Sequence, residues 1–235
     1  MKPRKHAGAA RAPREPQGKQ EKFDSYPVLV VPGWGAPARH TRWIAGHLER
    51  EGLDVRPMSL PRMAVGDMVA SAELVSKEVE SVRSETGAAR VSLLGYSLGG
   101  LIVRIYLETL GGYRTLGRAA YVGAPQDGIY TGYPAAFTTA GRQVRKGSRF
   151  MKELNRERRC ECDGTRCLAV FLSKDGTILP SKSARLGCGY NLELVWPVFH
   201  WGLVFNREVI SAVATFLEGG LPAGAVEAEG PRRSR

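Results

Sequence analysis

The sequence predicts an α/β protein: a mostly parallel sheet of six strands, or close to six, with helices on both faces and at most a short cap. Three observations carry this. Short apolar runs alternate along the chain with segments whose apolar residues recur every three to four positions. The runs are continuously apolar, as strands buried on both faces are. Finally, the residues best equipped for chemistry follow the ends of those runs, where open parallel sheets hold their ligands.

The elements come in order. Val28-Leu29-Val30-Val31 is the first strand and stops at Pro32-Gly33. Residues 38–51 read as a helix broken by Gly52, and residues 55–60 as a second strand. From Asp67 to Thr86, Val75, Val79 and Val82 recur at i, i+4, i+7, with Asp67 as N-cap and Gly87 as the stop. Val91-Ser92-Leu93-Leu94 is a third strand. Leu98, Leu101, Ile102, Ile105 and Tyr106 trace the helix after it, ended by Gly111-Gly112. Residues 118–122, 168–172 and 192–195 supply the remaining strands, and residues 206–218 the last helix, with Val209, Ile210, Val213, Phe216 and Leu217 on one face.

At 235 residues and 43% apolar content, the chain can bury a full core without staples. Residues 1–24 are rich in Lys, Arg, Ala, Pro and Gln without periodicity and read as a disordered tail. The folded domain is expected over residues 25–218, with a flexible Gly/Ala/Glu/Arg tail over 219–235. No apolar run approaches the roughly 18–20 residues that span a bilayer. No apolar segment follows the basic N-terminus as a secretory leader would require, so a cytoplasmic location is the default expectation.

The net charge of +11 is unevenly spread. Residues 1–22 hold seven Lys/Arg against two acids, and residues 141–166 hold nine against four. Such runs are ordinarily solvated faces; the sharper reading is weak attraction to an anionic lipid surface or an anionic substrate. No aromatic-interleaved basic motif or nucleic-acid fold signature is present, so nucleic acid is not an expected partner. Nothing in the sequence sets an oligomeric state.

The chemistry centres on Gly95-Tyr96-Ser97-Leu98-Gly99. A strand precedes this G-x-S-x-G and an amphipathic helix follows it, the context in which a sharp turn projects a serine hydroxyl as a nucleophile. Larger side chains two positions to either side would collide, hence the glycines. The helix start offers free N–H groups to a developing oxyanion. A serine nucleophile needs a base, and the base an orienting acid. Of four histidines, His6 lies in the tail, His40 and His47 precede the serine, and His200 alone follows the last strand in the order Ser, acid, His. Asp175, directly after the strand 168–172, is the preferred acid; Asp127 is the reserve, and Asp163 lies among cysteines and charges. The loop Val31-Pro32-Gly33-Trp34-Gly35 is placed to give the second oxyanion donor, so the candidate N–H groups are those of Trp34 and Leu98. Tyr96, Trp196, Phe199 and Trp201 flank these loops and are candidates for a substrate pocket, although core packing is the commoner use of such aromatics.

Over roughly residues 27–218 these features resemble the bacterial class 2 lipases and esterases of the α/β-hydrolase superfamily. Val30-Val31-Pro32-Gly33-Trp34-Gly35 resembles the family's oxyanion loop, and Leu94-Gly95-Tyr96-Ser97-Leu98-Gly99-Gly100-Leu101 its nucleophile turn. Val122-Gly123-Ala124-Pro125 is similar to its G-T-P strand end. The stretch from Gly141 to Asn155 is similar to its GS-x-F-L-x-x-LN segment. Asp175 with Ile178 and Pro180 resembles its acid turn, and Phe199-His200-Trp201-Gly202-Leu203 its base segment. Pro32, Tyr96 and Gln126-Asp127 depart from the family's usual residues. The resemblance implies hydrolysis of lipid or similar acyl esters by Ser97, Asp175 and His200, with no metal or organic cofactor. The same triad would serve an acyltransferase or thioesterase, and a non-catalytic acyl-binding scaffold is the reading from another class.

Cys160, Cys162, Cys167 and Cys188 are spaced C-x-C-x4-C with a distant fourth. Free thiols, one or more disulfides, or a metal site of unusual spacing are all compatible with this pattern.

Overall fold

The structure is a computed structural model and describes residues 26–156, 166–195 and 199–228. The expected disordered tail, Trp196, Cys160, Cys162 and Asp163 lie outside the described residues.

Seven strands form one sheet in the order β2-β1-β3-β4-β5-β6-β7. These are β1 (Val28–Val31), β2 (Val55–Pro57), β3 (Val91–Tyr96), β4 (Leu116–Val122), β5 (Cys167–Leu172), β6 (Tyr190–Leu194) and β7 (Val226–Glu227). The first six are mutually parallel; β7 runs antiparallel along β6, with Tyr190 opposite Glu227 and Asn191 opposite Val226. β1, β3 and β5 are buried along their whole length, which is why their sequences are unbroken apolar runs rather than alternating ones.

The two faces are covered by different helices. Val28 and Val30 pack in a layer with Ile44 and Leu48 of α1 (Ala38–Arg50) and Val209, Val213 and Phe216 of α6 (Arg207–Leu217). Leu29 and Val31, pointing the other way, join α2 (Met68–Thr86) and α3 (Leu98–Thr109). The segment between β4 and β5 adds α4 (Thr139–Val144) and α5 (Arg149–Arg156) to this second layer. Asp67 caps α2 as expected, accepting from the N–H groups of Val69 at 2.9 Å and Ala70 at 3.0 Å, and Gly87 ends the helix.

Two boundaries differ from expectation. The second strand ends at Pro57 rather than residue 60, because Pro61 opens a 3-10 turn over Pro61–Ala64. Hydrogen bonding to the sheet also continues past residue 218, the expected end of the domain: β7 is paired, and the Ala228 N–H donates to Gly189 O at 2.7 Å. Residues 229–235 lie outside the described residues.

Cys188 is disulfide-bonded, which decides in favour of a bridge at that residue, and Cys167 is buried at the start of β5. Among the described residues, no three His, Cys, Asp or Glu side chains gather as a metal site would require, and no helix is long and apolar enough to cross a membrane.

Candidate active site

The sheet delivers three side chains to one edge. Ser97 follows β3, Asp175 follows β5, and His200 follows β6 by a few residues. Because the strands are parallel, all three leave from the same end.

Ser97 is the single residue between β3 and α3. Reversing the chain there forces it to φ 52°, ψ −125°, a conformation that costs a non-glycine residue about 1–3 kcal/mol. Its N–H donates to Val122 O at 2.8 Å, which ties the turn to β4. The flanking glycines are required by proximity. A Cβ on Gly95 would stand 2.4 Å from Gly100 Cα, and one on Gly99 2.4 Å from Val31 O.

His200 links the other two groups. Its Nε2 lies 2.9 Å from Ser97 Oγ, and its Nδ1 lies 2.8 Å from Asp175 Oδ2. The other carboxylate oxygen, Oδ1, accepts from the N–H groups of Thr177 at 2.8 Å and Ile178 at 3.1 Å. Burial alone would push the Asp175 carboxyl up. The hydrogen bond and charge of His200, with the two backbone donors, outweigh it and hold the carboxyl below its ordinary value. An ionised Asp175 only accepts, so the imidazole proton sits on Nδ1 and Nε2 is left to accept from the serine hydroxyl. The reserve acid, Asp127, is not the partner of the imidazole; its backbone N–H is engaged by Ser183 O at 3.2 Å and Ser183 Oγ at 3.1 Å.

Asp175→Asn tests this arrangement. The amide can offer Nδ1 a donor and so favour the wrong tautomer, and kcat is expected to fall about 10⁴-fold. The stability side has a definite sign. A depressed carboxyl stabilises the fold above the unfolded value of 3.8, and that contribution is lost as pH falls through the lower folded value. The melting-temperature gap between wild type and Asp175→Asn should therefore be widest near neutrality and close under strong acid. A gap that widens on acidification would contradict the assignment.

The Pro32–Gly35 loop lies directly against the turn, since a Cβ on Gly33 would be 3.0 Å from Ser97 Cβ. Among the described residues, neither the Trp34 N–H nor the Leu98 N–H has an intramolecular acceptor, whereas the Gly35 N–H is taken by Met63 O at 2.8 Å. The two candidate donors are thus available beside Ser97.

A cavity of about 410 Å³ opens beside Ser97. Trp34, Tyr96, Ile129, Val144, Ile178 and Trp201 give it mostly apolar walls. Tyr96 also has a second contact: its hydroxyl donates to His200 O at 3.2 Å and its ring stacks on the imidazole at 5.4 Å. Burial, then the charge of Asp175, raise its pKa, so the phenol stays neutral. Phe199 corrects an expectation. It does not line the cavity and is 86% exposed, whereas the next residue, His200, is buried.

Two features were missed in the sequence. His40 lines the cavity with its ring 5.1 Å from Tyr96, and burial lowers its pKa and favours the neutral ring. Its position within a helix before the serine gave no signal. Arg104, nearly buried, pairs with Glu108 at 2.9 Å and donates to Gln126 O at 2.7 Å and Asn155 Oδ1 at 2.8 Å. It fastens α3 to the loop after β4 and to the Leu154-Asn155 pair that ends the similar segment.

This sheet, the strained turn at Ser97 and the hydrogen-bonded trio are those of an α/β-hydrolase fold, and solved structures agree. The chain is similar to Aspergillus fumigatus lipase B, with 18% identity and a TM-score of 0.72 over 84% of this chain and 54% of that one. It is similar to the mature form of the Bacillus licheniformis lipase BlEst2, with 18% identity and a TM-score of 0.64 over 82% and 89% of the two chains. A lipase-esterase related protein from Clostridium acetobutylicum aligns at 14% identity and a TM-score of 0.54 over 83% and 96%. The chain thus spans about half the length of the Aspergillus lipase but most of the other two. No family model and no curated protein sequence matches it.

Proposed function

We propose that this chain hydrolyses carboxylic esters with apolar acyl groups through a covalent acyl-enzyme. The observation that carries the reading is the unbroken run from Asp175 Oδ2 through His200 to Ser97 Oγ, with steps of 2.8 and 2.9 Å, at a strained turn beside an apolar cavity.

Ser97 Oγ attacks the ester carbonyl carbon while its proton passes to His200 Nε2. The carbonyl oxygen gains negative charge, and the Trp34 and Leu98 N–H groups meet it. When the tetrahedral adduct collapses, the alcohol leaves with the proton from His200. Water then gives a proton to Nε2 as its oxygen attacks the acyl carbon, and Ser97 regains its hydroxyl as the acid departs. Asp175 stays ionised and stabilises the imidazolium at each stage. Trp201 and Tyr96 line the cavity, and on this reading they would meet the acyl chain.

A fluorophosphonate should add once per chain, with the mass shift on the Ser97 peptide. A p-nitrophenyl ester series should be turned over to free acids, with water rather than added alcohol or thiol as the main acceptor. An adduct elsewhere, or no turnover of any ester in the series, would remove the reading. Predominant transfer to an added acceptor would replace hydrolysis with acyl transfer.

A further inference from the structure

Large apolar side chains lie exposed on the segments that wall the cavity. Trp34, 44% exposed, stands on the loop after β1, and the next residue in that loop is hydrogen-bonded to Met63, itself half exposed. Tyr130, Tyr133 and Phe137 stand on the stretch before α4, and Phe137 is 78% exposed. That stretch is joined to the acid turn, because the Tyr130 N–H donates to Leu179 O at 2.8 Å and the Thr131 hydroxyl to Thr177 O. Trp201, beside His200, is exposed and lines the cavity as well. Isolated surface aromatics need no explanation, but several on the segments around one cavity do.

The charge on the same segments is one-sided. Residues 33–37, 60–66, 129–146, 173–182 and 199–205 hold six Lys/Arg and one acid, Asp175, whose side chain is buried against His200. Asp67, just beyond, caps α2 and accepts from Gln143 Nε2 at 2.7 Å. Arg145 holds its guanidinium 5.1 Å from the Tyr133 ring centroid, so cation and aromatic occupy one place. Amphipathic aromatics with cations, and no free carboxylate, suit the boundary between water and an acyl layer with anionic headgroups.

We propose that this rim seats the protein on an anionic lipid bilayer with the cavity mouth facing the membrane. The inference rests on the ester-hydrolase reading for the use made of the cavity, and it adds the surface from which substrate is drawn. Apolar side chains enter the interface while Arg62, Lys146 and Lys182 meet the headgroups.

The test separates binding from catalysis by using the full chain with Ser97→Ala. Co-sedimentation with phosphatidylcholine vesicles, with and without phosphatidylglycerol, should show at least about ten-fold tighter binding to the anionic vesicles, weakened by salt. Phe137→Ser with Tyr130→Ser, and separately Lys146→Glu with Lys182→Glu, should each weaken that binding about ten-fold. In the chain with Ser97 intact, the same pairs should leave hydrolysis of a short water-soluble ester unchanged. No preference for anionic vesicles, or binding indifferent to both pairs of substitutions, would overturn the proposal; the latter result would assign adsorption to other basic segments. Rim-dependent binding by a protein that hydrolyses no ester would instead count against the enzyme reading and leave the docking surface standing.

Discussion

Ser97→Ala is expected to abolish ester hydrolysis to within background, a loss of about 10⁴–10⁶-fold in kcat. The reason is local. His200 Nε2 reaches one hydroxyl, that of Ser97 at 2.9 Å, and no other described nucleophile shares the turn. The cavity and the two N–H groups proposed as oxyanion donors are left in place, so KM should move far less than kcat. The fold should survive, because alanine keeps the Cβ that already packs against Gly33. Loss of fluorophosphonate labelling together with a preserved melting transition is the expected result. A folded Ser97→Ala protein with a tenth or more of wild-type activity would place the nucleophile elsewhere.

Gly99→Ala should be nearly as damaging by another route. The added methyl would stand 2.4 Å from Val31 O and 2.5 Å from Pro32 O, backbone atoms at the end of β1 and the start of the loop that follows it. Relief can come only by separating the start of α3 from the end of β1. That motion carries the Trp34 N–H away from Ser97. A destabilisation of about 3 kcal/mol follows from overpacking of this kind, which at this chain length lowers Tm by roughly 6–12 °C. Loss of that proposed oxyanion donor should lower kcat by about 10²–10³-fold in the fraction that folds. Gly46→Ala is the control. It lies in α1 with nothing within 4 Å of its would-be Cβ, and should be neutral or stabilising by about 0.5–1 kcal/mol. Equal, small effects at both positions would refute the close approach.

The parts of this protein legible in the sequence are those whose chemistry is local. A buried parallel strand must be apolar throughout, so β1, β3 and β5 announce themselves, and the glycines around Ser97 record a backbone contact. Asp175 and His200 could be ranked because parallel strands return their ends to one edge in chain order. The unread parts depend on distant neighbours. β7 has two exposed residues and no apolar signature, and it exists only because β6 offers an unpaired edge. Phe199 is exposed while its neighbour His200 is buried, a difference that spacing in sequence does not carry. The cavity walls at Ile129 and Val144 come from a segment between strands whose path is set by α3 and Arg104, and spacing in sequence says nothing of that path. The bridge at Cys188 likewise depends on which thiol is brought to it.

The placement of the trio on separate strand ends has a kinetic consequence. Ser97 and His200 are 103 residues apart, and His200 and Asp175 are 25 apart. β4 stands between the strands that carry Ser97 and Asp175. No local helix or hairpin can bring these groups together, and pairings across such sequence distances form slowly. During refolding, helical signal will therefore recover before the serine becomes reactive. A phosphonate added at timed intervals becomes a clock for closure of the central sheet, one that a spectroscopic measure of helix cannot replace.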